Sequence, residues 1–499
     1  MDTLIHFGDS FYGSVMTLLS HTFILALGFG VLAAIVLYVV DITQTKHAIR
    51  RNYPLLGRFR YLFEHLGEFF RQYFYSQDRE ELPFNRAQRS WVYRAAKNVD
   101  NTQAFGSTRL ADQEGHVLFV NAGFPVLDEE AEPIPPLTFG PYCREPYQST
   151  SIFNISGMSY GAISRPAVQA LSGGAALAGC WMCTGEGGLS DYHLQGGCDI
   201  VFQIGTAKYG VRDANGNYSV ERLQHIASLP QVKMIELKLA QGAKPGKGGI
   251  LPGVKVTPEI ALIRGIPVGQ DSISPNRHTD IGNNRELLER LQWLRELSGK
   301  PVGIKVVLGD ERWIEDLLHT VQEMGEELAP DFITLDGGDG GTGAAPMTLI
   351  DDTGLGLRES LPLLINRLAR FGLRERIRVI ASGKLVNPAD VAWALCVGAD
   401  AVNNARGFMF ALGCIQALQC NRNTCPTGIT THNPKLQRGL VPEDKTTRVA
   451  NYQRNMVKEV SVIAHSCGVA HPRLLRRHHA RLVLGPNRSV SLEDYYKHY

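Results

Sequence analysis

From residue 10 to residue 40 the chain carries no Asp, Glu, Lys or Arg. The apolar core of that stretch, residues 23 to 40, approaches the roughly 20 residues that cross a bilayer. It predicts one membrane-spanning helix, with a buried core helix as the alternative. A cleaved leader would open on Lys or Arg, whereas this start holds Asp2 and Asp9. The basic flank that follows, Lys46, Arg50, Arg51, Arg58 and Arg60, puts everything downstream in the cytoplasm. The expectation is a single-pass membrane protein held in lipid by its N-terminal helix.

Other absences narrow the function. Nine cysteines in 499 residues are too few for a disulfide scaffold. A net charge of +2 with no basic stripe interleaved with aromatics argues against nucleic acid as a partner. There is no Walker spacing, and no G-x-G-x-x-G after a predicted strand, so the sequence names no electron donor of the nicotinamide type. No repeat of 20 to 50 residues and no low-complexity tract is visible. What remains is small-molecule chemistry on a large core, since 44 % of residues are hydrophobic.

Eight short apolar runs supply that core: 152–155, 180–184, 200–204, 234–239, 302–307, 332–335, 377–380 and 401–404. Helical patterns separate them. This alternation predicts an α/β fold, specifically a (β/α)8 TIM barrel whose active site lies at the C-terminal ends of its strands. The expected divisions are an anchor at 1–45, a helical and loop region at 46–150, the barrel at 151–430 and a helical extension with a basic surface at 431–499. In the second of these, Pro83, Phe84, Arg86, Arg89, Trp91 and Tyr93 read as a packing collar.

The rim motifs carry the chemistry. After the sixth run comes DGGDGGTGAAP, residues 336–346, with Gly338, Gly340, Gly341 and Thr342. Glycines there leave bare amides that can wrap a phosphate. Gly383 with Lys384 and Arg406 with Gly407 follow the last two runs, where barrels of this kind hold phosphate. The first run ends in small residues around Met158, Ser159 and Gly161, suited to a flat ring. Glu186 stands among glycines, to orient a substrate or carry a proton. The loop QGAKPGKGG, from Gln241, carries Lys244, and Arg264 follows it, two cations for a substrate with two acid groups. Lys305 is a lone lysine in an apolar strand, to be matched by an anion at the rim or by a salt bridge inside the barrel.

Cys414, Cys420 and Cys425-Pro426 show the spacing C-x5-C-x4-C-P. Cysteine-only ligands favour iron–sulfur chemistry. Three of them suit a three-iron cluster or one with an outside ligand, while zinc would need a fourth residue. Cys180 and Cys183 read as buried thiols in a strand.

Together these motifs resemble the FMN-binding synthase domain of the glutamate synthase family, over residues 151 to 430. The resemblance implies FMN held by Met158, Ser159, Gly161, Gln203, Lys305, Gly338, Gly340, Gly341, Thr342, Gly383, Lys384, Arg406 and Gly407. It implies a [3Fe-4S] cluster on Cys414, Cys420 and Cys425, and 2-oxoglutarate near Glu186, Lys244 and Arg264. The reaction would be reductive amination of 2-oxoglutarate to L-glutamate. Two departures stand out. Ile250 occupies a loop position where the family commonly has glutamine. The chain opens on Met1-Asp2-Thr3, whereas the family begins with a glutaminase domain that has an N-terminal cysteine nucleophile; the β-helix domain is also missing after residue 430. Ammonia would then come from solution or from a separate glutaminase. Two other readings stay open: a related oxidoreductase for another oxo or amino acid, coupled to membrane electron carriers, and a non-catalytic flavoprotein scaffold or redox sensor.

Overall fold

The computed structural model describes residues 2–497, with the side chains of 2–11, 68 and 69 left out, so the outermost ends of the expected anchor and of the C-terminal extension lie outside the described residues. The chain divides into two units, 1–87 and 88–499.

In the first unit, helix α1 (Asp2–Thr43) is, over the 32 described residues Tyr12–Thr43, long and apolar enough to cross a membrane. Its apolar side chains are exposed all round, as expected of a helix solvated by lipid. The unit runs well past residue 45, the expected end of the anchor. After a five-residue helix (Ala48–Asn52) comes a longer one, α2 (Leu56–Phe70). Asp41 near the end of α1 accepts from Arg58 Nε and Nη2, both at 2.8 Å, and from the Leu55 N–H at 3.1 Å. That fork pins the start of α2 to the end of α1.

The second unit is a closed barrel of eight parallel strands: β1 (Phe153–Ile155), β2 (Met182–Cys183), β3 (Ile200–Ile204), β4 (Val232–Lys238), β5 (Val302–Val306), β6 (Phe332–Asp336), β7 (Arg378–Ser382) and β8 (Ala401–Asn404). Closure is between β8 and β1, with Val402 opposite Phe153 and Asn404 opposite Ile155. Each expected run coincides with one strand, apart from shifts at the ends. The agreement has a physical basis: strands covered by helices on one face and packed inside the barrel on the other are apolar throughout.

Around the lower, N-terminal ends, an antiparallel hairpin (Leu137–Phe139 and Tyr147–Ser149) plugs the barrel with aromatics. The Phe139 ring meets Trp181 edge-on at 5.6 Å and Phe332 at 6.0 Å. Beside this plug, Asp331 is fully buried between Arg295 (3.0 Å) and Arg376 (3.1 Å) and accepts the Val302 N–H at 2.8 Å.

Residues 431–499 were expected to be helical, and the structure corrects that. A long helix (Pro442–Ser466) packs on the barrel, but strands Ala480–Gly485 and Arg488–Ser491 then form a three-stranded sheet with Val117–Phe119. In the expected collar, Trp91 packs edge-on against Tyr452 of the long helix, and the Tyr93 hydroxyl donates to the Cys414 carbonyl at 2.6 Å.

Candidate functional site

Strand β4 ends Glu236-Leu237-Lys238, so its two charged side chains, two residues apart, share one face. Both are buried. Glu236 accepts from Gln203 Nε2 of β3 and from Thr334 Oγ1 of β6, each at 2.5 Å. Lys305 of β5, expected to meet an anion, pairs with Asp336 Oδ2 at 3.4 Å, and the same oxygen accepts the Gly242 N–H at 2.8 Å. The internal salt bridge is thus the arrangement found for Lys305. Burial lowers the Lys305 pKa, but Asp336 and Glu236 outweigh it and leave the pKa raised, so the ammonium is firmly charged.

Above this layer sits Glu186. Lys238 Nζ lies 2.8 Å from its Oε1, and Lys244 and Arg264 act on it as further nearby positive charges. Burial alone would raise its pKa; the three cations override burial and hold it below the usual carboxylate value. Of the two roles open to Glu186, positioning and charge fit an ionised carboxylate better than proton donation. Its neighbours Gly205 and Gly249 leave room for it: a Cβ on either would come within 2.5 Å of a carboxylate oxygen.

Lys244 and Arg264 differ from Lys238 in having only neutral direct partners. Lys244 Nζ donates to the Ala344 carbonyl at 3.2 Å. Arg264 donates to Ser272 Oγ at 3.1 Å and to the Tyr160 carbonyl at 3.2 Å, and its buried Nε has no partner among the described residues. Burial, reinforced by Lys238, pushes the Lys244 ammonium down to about 8. Three buried cations around one carboxylate leave two positive charges in excess, an arrangement that is costly unless an anion completes it.

The glycine loops serve packing as well as access. A Cβ on Gly242 would sit 2.2 Å from the Gly337 carbonyl and 3.0 Å from Gly340, and one on Gly338 would meet the Gly354 carbonyl at 2.6 Å. A Cβ on Gly341 would press on Arg406 Nε at 2.8 Å. Much of the glycine content of 336–346 is therefore required for two rim loops to touch. Met158, Ser159 and Gly161 follow β1, where Ser159 abuts Gly185 and the Gly161 carbonyl meets His432 Nε2 at 2.8 Å. Gly383 (φ 142°) and Lys384 (φ 51°) follow β7, and Gly407 follows β8, its N–H held by Asn404 Oδ1 at 2.6 Å.

A hydrogen-bonded chain joins these parts. Lys238 donates to Gln241 Oε1, Gln241 Nε2 donates to Thr342 Oγ1 at 3.1 Å, and Arg406 Nη2 donates to the Thr342 carbonyl. Arg406 Nη1 in turn lies 4.0 Å from Cys420 Sγ.

The three cysteines share the loop after β8. Burial pushes the Cys414 thiol up to about 11; at Cys425 burial acts the same way, but hydrogen bonds led by the one with Thr427 outweigh it and lower the pKa. Among the described residues no group of three or more His, Cys, Asp or Glu side chains is gathered as a metal site. Its surroundings are cationic. Lys255 is almost fully buried with only carbonyl partners, Ala162 at 2.6 Å and Cys420 at 3.2 Å. An all-sulfur donor set flanked by Lys255 and Arg406 has the chemistry of a site for an anionic cluster. Cys180 and Cys183 are buried in the barrel wall as expected.

Glu236, Lys238, Asp336 and Lys255 were not among the expected site residues. The alternation of Glu236 and Lys238 in a buried strand was a usable signal; Lys255 had none.

Residues 114–470 match the family described as the conserved region in glutamate synthase. The chain is 41 % identical over 475 residues to the glutamate synthase large subunit-like protein YerD of Bacillus subtilis, covering 87 % of this chain and 90 % of that one. It is 35 % identical over 333 residues to the archaeal glutamate synthase [NADPH] of Methanocaldococcus jannaschii, covering 66 % of this chain and 61 % of that one. For the archaeal-type glutamate synthase [NADPH] of Thermotoga neapolitana the values are 33 % over 345 residues, with 68 % and 63 % covered. The chain thus spans about three-fifths of the length of these two synthases.

Proposed function

The chain belongs to the glutamate synthase family, and we propose that it is a membrane-anchored flavin oxidoreductase that converts 2-oxoglutarate and ammonia to L-glutamate. The observation that carries this reading is the excess of two buried positive charges around Glu186, which a dicarboxylate neutralises. Lys244 and Arg264 hold the two carboxylates of the substrate. Glu186, kept ionised, fixes Lys238 and through it the rim loop of Gln241. Ammonia condenses with the oxo group, with loss of water, to give 2-iminoglutarate, and FMN, when bound and reduced, would supply the hydride that reduces the imine.

The residues that would hold FMN are those of the β1, β6, β7 and β8 loops, with Lys384 and Arg406 as cations for its phosphate. Lys305 is firmly protonated but already paired with Asp336, so it brings no unmatched charge to the ring. The fit rests on Lys384 and Arg406 and on rim glycines that leave backbone amides bare. An iron–sulfur cluster on Cys414, Cys420 and Cys425 would supply single electrons, with Lys255 and Arg406 offsetting its negative charge. Changing any one of these cysteines to serine should abolish bound iron and acid-labile sulfide in protein purified without oxygen; unchanged iron content in all three variants would remove the cluster from the account.

Membrane attachment is supported by α1, and the basic residues that follow it support a barrel on the cytoplasmic side. The protein should stay with membranes after alkaline carbonate washing, and release by that wash would rule out a spanning helix.

A second reading, a related oxo acid as substrate, is favoured by Ile250, which follows Gly249 at the Glu186 carboxylate. Glutamate formation from 2-oxoglutarate, ammonia and a chemical reductant decides between them. A larger kcat/KM with a less polar oxo acid would select the second.

The charge state of Lys244 adds a pH dependence. With its pKa pushed down to about 8, the ammonium that meets the substrate carboxylate is lost as pH rises through that value. The kcat/KM for 2-oxoglutarate should therefore fall above about pH 8, and Lys244→Met should remove that limb of the profile.

A further inference from the structure

Between residues 44 and 75 the chain has nine aromatic residues in 32, against 8 % for the whole chain, with six Lys or Arg against two Glu. Aromatics mixed with basic residues are the composition of a membrane–water interface, not of a soluble linker. Their arrangement is specific. In α2 and the turn that follows it, Leu56, Phe59, Phe63, Phe70 and Phe74 recur at intervals of three, four or seven and so lie on one face. All are solvent-exposed, Phe63 at 64 % and Phe74 at 74 %. Arg58 and His65 lie on the opposite face, and Arg60, Glu64 and Arg71 flank the stripe.

Contacts within the first unit account for the polar face and leave the apolar one bare. Arg58 is taken by Asp41, and Tyr61 lies under the Arg50 guanidinium at 4.5 Å and against His47 at 5.2 Å. The stripe of phenylalanines points the other way, and among the described residues its rings stack on each other, Phe59 on Phe63 at 6.5 Å and Phe70 against Phe74 at 5.6 Å.

We propose that α2 and the turn to Tyr75 form a second, interfacial membrane contact, lying in the headgroup layer of an anionic leaflet with the phenylalanine face toward the acyl chains. The occupant is lipid because the stripe continues directly from a helix of spanning length, through the Asp41–Arg58 fork, and because Arg50, Arg51, Arg60 and Arg71 complement anionic headgroups. The helix is too polar on its far side to span. The proposal rests on α1 being a span; carbonate extraction tests that point separately.

The test uses the full chain in lipid nanodiscs, with Phe63→Trp as probe. All five native tryptophans lie in the second unit, so the unmodified protein supplies the background. The added emission should be quenched by lipids brominated near the headgroup, spared by bromines at the acyl-chain ends, and quenched more strongly when the nanodiscs contain phosphatidylserine than in phosphatidylcholine alone. Phe59→Glu added to the probe variant should abolish the shallow quenching while the protein stays in the membrane fraction through α1. Added emission left unquenched by every bromolipid would overturn the proposal, as would quenching confined to the deepest bromines.

Discussion

Replacing Lys244 by methionine should raise the KM for 2-oxoglutarate by about 30-fold or more, while leaving the empty protein at least as stable as before. The first half follows from the proposed ion pair: removing one partner of a buried, hydrogen-bonded charge contact costs about 2–5 kcal/mol of binding. The second half separates this lysine from a structural one. Lys244 has only the Ala344 carbonyl as direct partner, and burial already drives its pKa down to about 8. Methionine of similar length removes that desolvation penalty. Steady-state kinetics with varied 2-oxoglutarate, beside thermal unfolding without ligand, gives both numbers. A fall in kcat with KM unchanged would move Lys244 from substrate binding to another role, and a large loss of stability would make it part of the scaffold.

The opposite pattern is expected at the other end of the barrel. Asp331→Asn should destabilise the second unit by about 3–5 kcal/mol, because it leaves the Arg295 and Arg376 guanidinium groups buried with no carboxylate between them. The Val302 N–H also loses a charged acceptor. Cofactor content and KM should be normal in whatever protein folds, since Asp331 is remote in the fold from the C-terminal strand ends. Denaturant unfolding followed by far-UV circular dichroism measures the loss. A midpoint within error of the unchanged protein would show that water or a displaced carboxylate substitutes for Asp331.

These two residues illustrate what could be read before the structure. Lys244 stands in a long loop motif, so its chemistry was legible from its neighbours. Asp331 was silent: an acidic residue before a strand is common, and its burial is created by arginines 36 residues before it and 45 after it. The barrel strands were legible because each is a short apolar run between helical patterns. Glu236 and Lys238 were hidden by that same rule, which took residues 234–239 as apolar although the two charges share a face. In the sheet of Ala480–Gly485, Arg488–Ser491 and Val117–Phe119, the pairing with Val117–Phe119 spans more than half the chain and leaves no local signal, while the hairpin of the other two strands is local and was hidden by reading the segment as a basic helical surface. The glycines at 336–346 were recognised as functional for access to a ligand. The structure adds a second cause, contact between two rim loops, which no pattern within a single loop reveals.

The most direct test of the central claim is an anaerobic absorption spectrum of the purified, reduced protein before and after addition of 2-oxoglutarate with ammonia. The account predicts a bound flavin whose oxidised bands return on addition, in step with glutamate formed, with no return when either 2-oxoglutarate or ammonia is omitted. A bound flavin that stays reduced with both present would contradict the assignment of the Glu186, Lys244 and Arg264 centre to 2-oxoglutarate.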